Sequence, residues 1–324
     1  MRFTSDDREQ MMNNVPLFDL HCDTLYKCRD EGASLADNNF DISFKRLDEY
    51  KKHCQVLAMW SSWRIDDDTA YAHFFEAREL LSHELENSTH RLCRCDAELS
   101  KCEADGVGAL FLAVEGGKLL GSDITRLDEL YKNDVRFLTL VWNATCAIGG
   151  GHDTDEGLTE FGVYVVKRCH ELGIIPDVSH ASDKMTDEVI AISEAFGRPC
   201  IATHSNSRAM HEHTRNLTDE RFSRIAKMGG LVGVSLAPIH LTANEICRMD
   251  DVVRHIEHYL DIGGEDTVCL GCDLDGVVPL PEGIGSVSDL YKIADELAKR
   301  GHSDTLIEKI FYKNARDFVS RWLK

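Results

Sequence analysis

Five stretches of the sequence end in side chains able to bind a cation or carry a proton. They are Asp19-Leu20-His21-Cys22-Asp23, Glu115-Gly116-Gly117, Asp177-Val178-Ser179-His180, His204-Ser205-Asn206 and Asp273-Leu274-Asp275. Residues two apart on an extended segment project to one face, so His21 and Asp23 offer an imidazole and a carboxylate to one ion, with Cys22 turned away into packing. Glu115 has two oxygens with which to bridge two cations, and His180 and His204 bring two further imidazoles. Taken singly, an H-x-D is usually a surface pair and a strand-end histidine a hydrogen-bonded core residue. Together, three imidazoles and two carboxylates suit a pair of borderline divalent ions, Zn2+ best, two per chain, with a bridging hydroxide to attack a carbonyl. Asp273 is not needed in that ligand set, which frees it to take a proton from the attacking water and pass it to a leaving amine. Asp275 reads better as a carboxylate capping a loop. Arg215, in the loop from Met210 to Asn216, has the guanidinium fork that holds a carboxylate bidentately, a surface salt bridge being the plainer alternative. Competing catalytic patterns are missing: the sequence has no GxSxG, no HExxH and no papain-like cysteine context.

These groups need a frame that gathers them. Short β-rich apolar runs alternate with stretches of helical spacing, the pattern of βα units around a parallel sheet. Strands are predicted at Pro16–Leu20, Gln55–Trp60, Ala109–Val114, Arg136–Val141, Ile174–Val178, Cys200–Thr203, Leu231–Leu236 and Thr267–Leu270. Helices are predicted between them, among them Ser43–Lys52, Asp67–Asn87, Leu158–Leu172, Asp183–Phe196, Asp250–Asp261 and a last one over Ser303–Trp322. Eight such units predict an α/β fold, a closed (β/α)8 TIM barrel, in which strand ends far apart in sequence meet at one mouth. An open doubly wound sheet is the alternative, but no GxGxxG follows the first strand and no GxxxxGK[ST] occurs. The irregular pieces Asp30–Ile42 and Ala144–Gly157 follow strand ends and are candidate lids over that mouth. No linker or repeat divides the chain, so residues 1–324 are expected to form one domain.

The 324 residues are 43% hydrophobic and 28% charged with only 6 Pro, which excludes a disordered or fibrous protein. Lys plus Arg is 36 against 56 for Asp plus Glu, a formal charge of −20 that repels phosphate backbones and anionic lipid, so no nucleic-acid or membrane partner is expected. The longest strongly apolar runs, such as Gly108–Val114, fall far short of the roughly 20 residues of a spanning helix. The start, MRFTSDDREQMMNN, lacks the basic and apolar regions of a secretory signal, and the 12 Cys are dispersed through the chain, several in apolar strand-like runs, so they read as thiols of a cytoplasmic protein.

The sequence resembles the membrane (renal) dipeptidase family, the M19 metallopeptidases, in particular its soluble bacterial-type members. The likeness runs from Asp19–Thr24 through Val114–Gly117, Arg136–Leu140, Gly157–Gly162, Asp177–His180, His204–Arg208 and Arg215–Asp219 to Gly271–Gly276. It implies a barrel of the metal-dependent amidohydrolase type with a binuclear zinc centre. His21, Asp23 and Glu115 would hold one ion, and Glu115, His180 and His204 the other. Asp273 would be the proton shuttle and Arg215 the clamp for the C-terminal carboxylate of a small dipeptide, with tolerance for a D-residue there. Renal-type members place a histidine just after the fourth strand; this chain has Trp142-Asn143, whose indole N–H offers one hydrogen bond. His152, in the glycine-rich loop, is the candidate to take that histidine's place at the substrate. Three readings stay open on the residues: a zinc dipeptidase; an amidohydrolase-like enzyme acting on another small amide or a lactone; and a metal-binding barrel without turnover. A homodimer is left open as well.

Overall fold

The computed structural model describes residues 15–324, so residues 1–14, on which the expectation of a missing export signal rests, lie outside the described residues. Its strands are β1 (Leu17–Cys22), β2 (His53–Trp60), β3 (His90–Leu92), β4 (Gly108–Glu115), β5 (Val135–Thr139), β6 (Ile175–Asp177), β7 (Val232–Val234) and β8 (Val268–Leu270). All pair in parallel, in the order β6-β5-β4-β2-β1-β8-β7. Parallel bridges from Asp177 to Ile201 and from Ala202 to Val232 carry the ring from β6 to β7, and the predicted (β/α)8 barrel closes on eight staves.

The stave predicted as a strand over Cys200–Thr203 makes only those two bridges. Pro199 brings no N–H to a ladder there, and beyond Ala202 the amides go to side chains: Thr203 N–H donates to Asp177 Oδ1 (2.9 Å) and His204 N–H to Ser179 Oγ (3.1 Å). Conversely, β3 was not predicted, because three residues centred on Arg91 carry no apolar run; it pairs with the first half of β4, beside the ring. Helices Thr24–Glu31 and Asp96–Asp105 were also not predicted. The second buries only Leu99 and Cys102, too thin a stripe to show a period, and a left-handed glycine, Gly32 or Gly106, stops each. The helix predicted over Ser43–Lys52 is real only at Phe44–Leu47, after which the chain turns into β2. The long C-terminal helix is interrupted by a π-turn at Lys309–Lys313.

Strand alternation sorts the core into two layers. On β4, Ala109, Phe111 and Ala113 join an inner core with Phe18, Phe137, Ile175 and Ile201, while Leu110, Leu112 and Val114 face the helices. The inner core takes in Leu99 and Cys102 of one helix and Ala315, Phe318 and Val319 of another, which plug the end where the strands begin. Each such buried Phe or Leu contributes about 1.5–3 kcal/mol. With that floor sealed, the barrel opens only where the strands end. Among the described residues no helix is long and apolar enough to cross a membrane.

Candidate active site

Each chemical side chain reaches the mouth by a local device. Glu115 continues the inward series Phe111, Ala113 at the last position of β4. On β1 the series breaks. Phe18 and Leu20 face inward, yet Cys22 packs in the outer layer, and the register with β2 slips between Asp19 and Cys22. That irregularity turns His21 and Asp23 toward the mouth, the re-aiming bulges produce beside functional sites. His180 and Asp273 sit at φ 70° and 59°, left-handed backbone that costs a non-glycine residue energy and bends each side chain out of its strand's path. Asp275, at φ 67°, does the capping expected of it: its carboxylate accepts from Thr24 Oγ1 (2.5 Å), Lys27 Nζ (3.1 Å) and the amides of Asp41 and Ile42 (2.9 and 3.3 Å), pinning the Asp30–Ile42 loop to the barrel.

The predicted ligands do come together. Glu115 Oε1 lies 2.9 Å from His180 Nε2 and 3.4 Å from His204 Nε2, and those two nitrogens are 2.9 Å apart. Glu115 Oε2, Asp23 Oδ1 and Asp273 Oδ1 lie 3.6, 3.9 and 3.9 Å from His21 Nε2. All of these residues are buried. The hydrogen bonds behind the imidazoles fix which atoms face inward. Asn143 Oδ1 accepts from His180 Nδ1–H at 2.7 Å. Thr203 commits its hydroxyl hydrogen to Asp177 (2.5 Å), so its oxygen accepts from His204 Nδ1–H at 2.8 Å. His180 Nε2, His204 Nε2 and Glu115 Oε1 therefore converge as three acceptors without a proton among them. His21 Nδ1 and Nε2, Asp23 Oδ1 and Glu115 Oε2 are buried without any hydrogen-bond partner. Polar atoms buried this way without partners are costly, and a cation among the carboxylate oxygens and one imidazole nitrogen would satisfy them, so this set of side chains fits metal ions.

The electrostatics agree. Burial opposes a charge on His21, but the carboxylates of Glu115, Asp273 and Asp23 outweigh it and hold the imidazole's pKa up at about 10. Burial and the Arg215 guanidinium push His180 well down, and burial and His21 push His204 down to about 4, so both are neutral imidazoles. Burial pushes the Asp273 carboxyl up to about 7; Glu115 adds to the rise, while His21 and Arg215 oppose it. Such a group holds or releases a proton near neutrality.

Arg215 is buried, with Nη1 and Nη2 at 3.4 and 3.3 Å from Ser205 Oγ and the His204 carbonyl and Nε without a partner. The surface salt bridge held open for it is thereby overturned. Over the centre lies a cleft of about 480 Å3, lined by Asp23, Glu115, His180 and Asp273 and walled by Trp142, Asn143 and His152, whose Nδ1 is 2.8 Å from Thr214 Oγ1. Tyr26, Trp60, His213, Ile239 and His240 also line it and escaped sequence reasoning. Trp60 had a signal: it ends β2 two residues after inward Ala58.

Similar proteins of known structure share this architecture. A dipeptidase described as a metallo peptidase of family M19 superposes with a TM-score of 0.89 at 27% identity, covering 96% of this chain and 99% of its own. A metallo peptidase from Rhodobacter sphaeroides, solved with a phosphinate mimic of the dipeptide L-Ala-D-Ala, gives 0.88 at 26% identity over 95% and 99%. Human dipeptidase 3 is 28% identical over 94% of this chain, which spans 65% of that relative's length. The model of the membrane dipeptidase family matches residues 5–318, and the chain belongs to that family, peptidase family M19.

Proposed function

We propose that the chain hydrolyses the amide bond of small dipeptides, L-Xaa-L-Xaa or L-Xaa-D-Xaa, with two Zn2+ ions as cofactor. The observation that carries this reading is the convergence of proton-free acceptors, His180 Nε2, His204 Nε2 and Glu115 Oε1, beside a buried arginine with an unpartnered Nε. His21, Asp23 and Glu115 would hold one ion, and Glu115, His180 and His204 the other. When bound, zinc supplies a water of lowered pKa and polarises the scissile carbonyl. Arg215 binds the substrate's terminal carboxylate and so fixes which bond lies over the centre. Asp273 takes a proton at its carboxylate and delivers it to the departing amine. Trp142 and Trp60, with ring centroids 5.0 Å apart, wall one side of the cleft and exclude water. Asn143 keeps His180 in the tautomer that presents Nε2. His152 is the side chain proposed to meet the substrate in place of the histidine that renal-type relatives carry after the fourth strand. The ligand of the Rhodobacter sphaeroides structure supports a dipeptide with a D-residue at its C-terminal position. Twelve unpaired cysteines support residence in a reducing compartment such as the cytoplasm.

The test is turnover of a dipeptide panel with L,L and L,D members, with metal analysis alongside. Hydrolysis abolished by a chelator and restored by Zn2+ is the expected result; a zinc-saturated chain that cleaves no member overturns the reading.

A further inference from the structure

A second imidazole pair lies at the opposite end of the barrel. His53 opens β2 and His90 opens β3, a strand length, on the order of 20 Å, from the mouth. Their Nε2 atoms face each other at 2.9 Å, the same separation as His180 and His204 at the mouth. Both rings are buried. Asp48, half exposed, brings Oδ1 to 3.7 Å from His90 Nε2 and 4.0 Å from His53 Nε2. The surroundings hold the rings in place. His53 Nδ1–H donates to the Tyr50 carbonyl at 3.0 Å, which leaves its Nε2 a bare lone pair. His90 Nδ1 is 3.2 Å from Ser88 Oγ, and Phe44 stacks on the ring at 4.3 Å between centroids and 16° between planes. Gly108, the register partner of His90, leaves the room: a Cβ there would meet His53 Nε2 at 2.3 Å and His90 Cδ2 at 2.4 Å.

We propose that His53 Nε2, His90 Nε2 and the Asp48 carboxylate form a separate site for one borderline divalent cation, Zn2+ best, with water completing the coordination on the exposed side. A backbone carbonyl behind His53 and a hydroxyl behind His90 are the partners that set the tautomer of metal-binding imidazoles. The pair stands outside the cleft at the mouth, so the ion would be structural, tying the entry of β2 to the side strand β3.

The test uses the whole chain, loaded with Zn2+ and passed through gel filtration in metal-free buffer. Expected are anomalous density at the zinc edge about 2.1 Å from both Nε2 atoms, and one zinc fewer per chain in His90→Gln, with dipeptide turnover unchanged. Asp48→Asn, at a half-exposed position where folding is not at stake, should lose the same ion. If wild type, H90Q and D48N carry equal zinc and the density between the rings is empty, the pair is an ordinary bond in which Ser88 donates to His90 and His90 to His53, and the proposal fails. Because the readout is zinc at the floor, this failure is distinct from a failure of the dipeptidase reading.

Discussion

The two ends of the barrel hold the same motif, neutral imidazoles with Nε2 atoms 2.9 Å apart, in different electrostatic settings. At the mouth, Asp23, Glu115 and Asp273 surround His21 and hold its pKa up at about 10, and Asp273 itself is pushed up to about 7, chiefly by burial. At the floor one half-exposed carboxylate faces the pair, and burial with the neighbouring His53 pushes His90 down to about 3. An imidazole pair by itself offers two lone pairs to a cation, whereas proton transfer needs carboxylates beside it, one of them titrating near neutrality. The mouth has three carboxylates, a group titrating near neutrality and a cleft; the floor has the single carboxylate of Asp48.

The sharpest way to break this comparison is to exchange the effects. Glu115→Gln should lower kcat/KM about 1,000-fold or more and strip metal from the mouth, while His90→Gln stays within about twofold of wild type because distant sites act independently; a large kinetic effect of H90Q would undo the distinction. Asp273→Asn should retain its zinc and lose about 100- to 10,000-fold in kcat, the usual worth of a positioned proton carrier. Arg215→Lys should raise KM about 10- to 100-fold for a dipeptide and leave a C-terminally amidated one unaffected, since only the free carboxylate uses the fork. Gly108→Ala should cost about 1–3 kcal/mol by overpacking the floor rings, read as a lower Tm with kcat retained.

A further prediction concerns a histidine in neither cluster. His255 Nδ1 accepts from Ser207 N–H (3.0 Å) and its Nε2–H donates to the Leu241 carbonyl (2.9 Å), so the protein already satisfies its neutral form. Burial lowers its pKa from 6.5 to about 4. The unfolded chain then takes up the proton first. Stability from this group is complete above pH 6.5 and is lost as pH falls toward 4, by up to roughly 3 kcal/mol. Denaturant midpoints at pH 7, 5.5 and 4.5 should fall less steeply in His255→Gln; parallel curves would show that His255 is not responsible.

Much of the centre was legible because its signals are local. An apolar run ending in Glu115, or in Val178-Ser179-His180, announces both a strand and what stands at its end. Elements with no such run were missed, β3 and the helix Asp96–Asp105 among them, as were cleft residues contributed by loops. His213 belongs to a loop and His240 to the short helix Pro238–Leu241, and the course of both depends on the packing beneath them; their rings lie 4.8 Å apart over the cleft, and nothing in their spacing foretells it. The floor pair is the extreme case: His53 and His90 are 37 positions apart and meet because β2 and β3 both flank β4.

The sequence by itself determined the kinds of ligand atom, their order along the chain and their place at strand ends, since side-chain chemistry and strand period are properties of short segments. Only the tertiary structure decided which atoms meet. Ring closure through Ile201 and Ala202 brings His204 beside His180, and the slip in β1 turns His21 and Asp23, in place of Cys22, toward the mouth. Both are matters of pairing between segments remote in the chain, where the energy of one arrangement depends on all the others, and no local pattern encodes it.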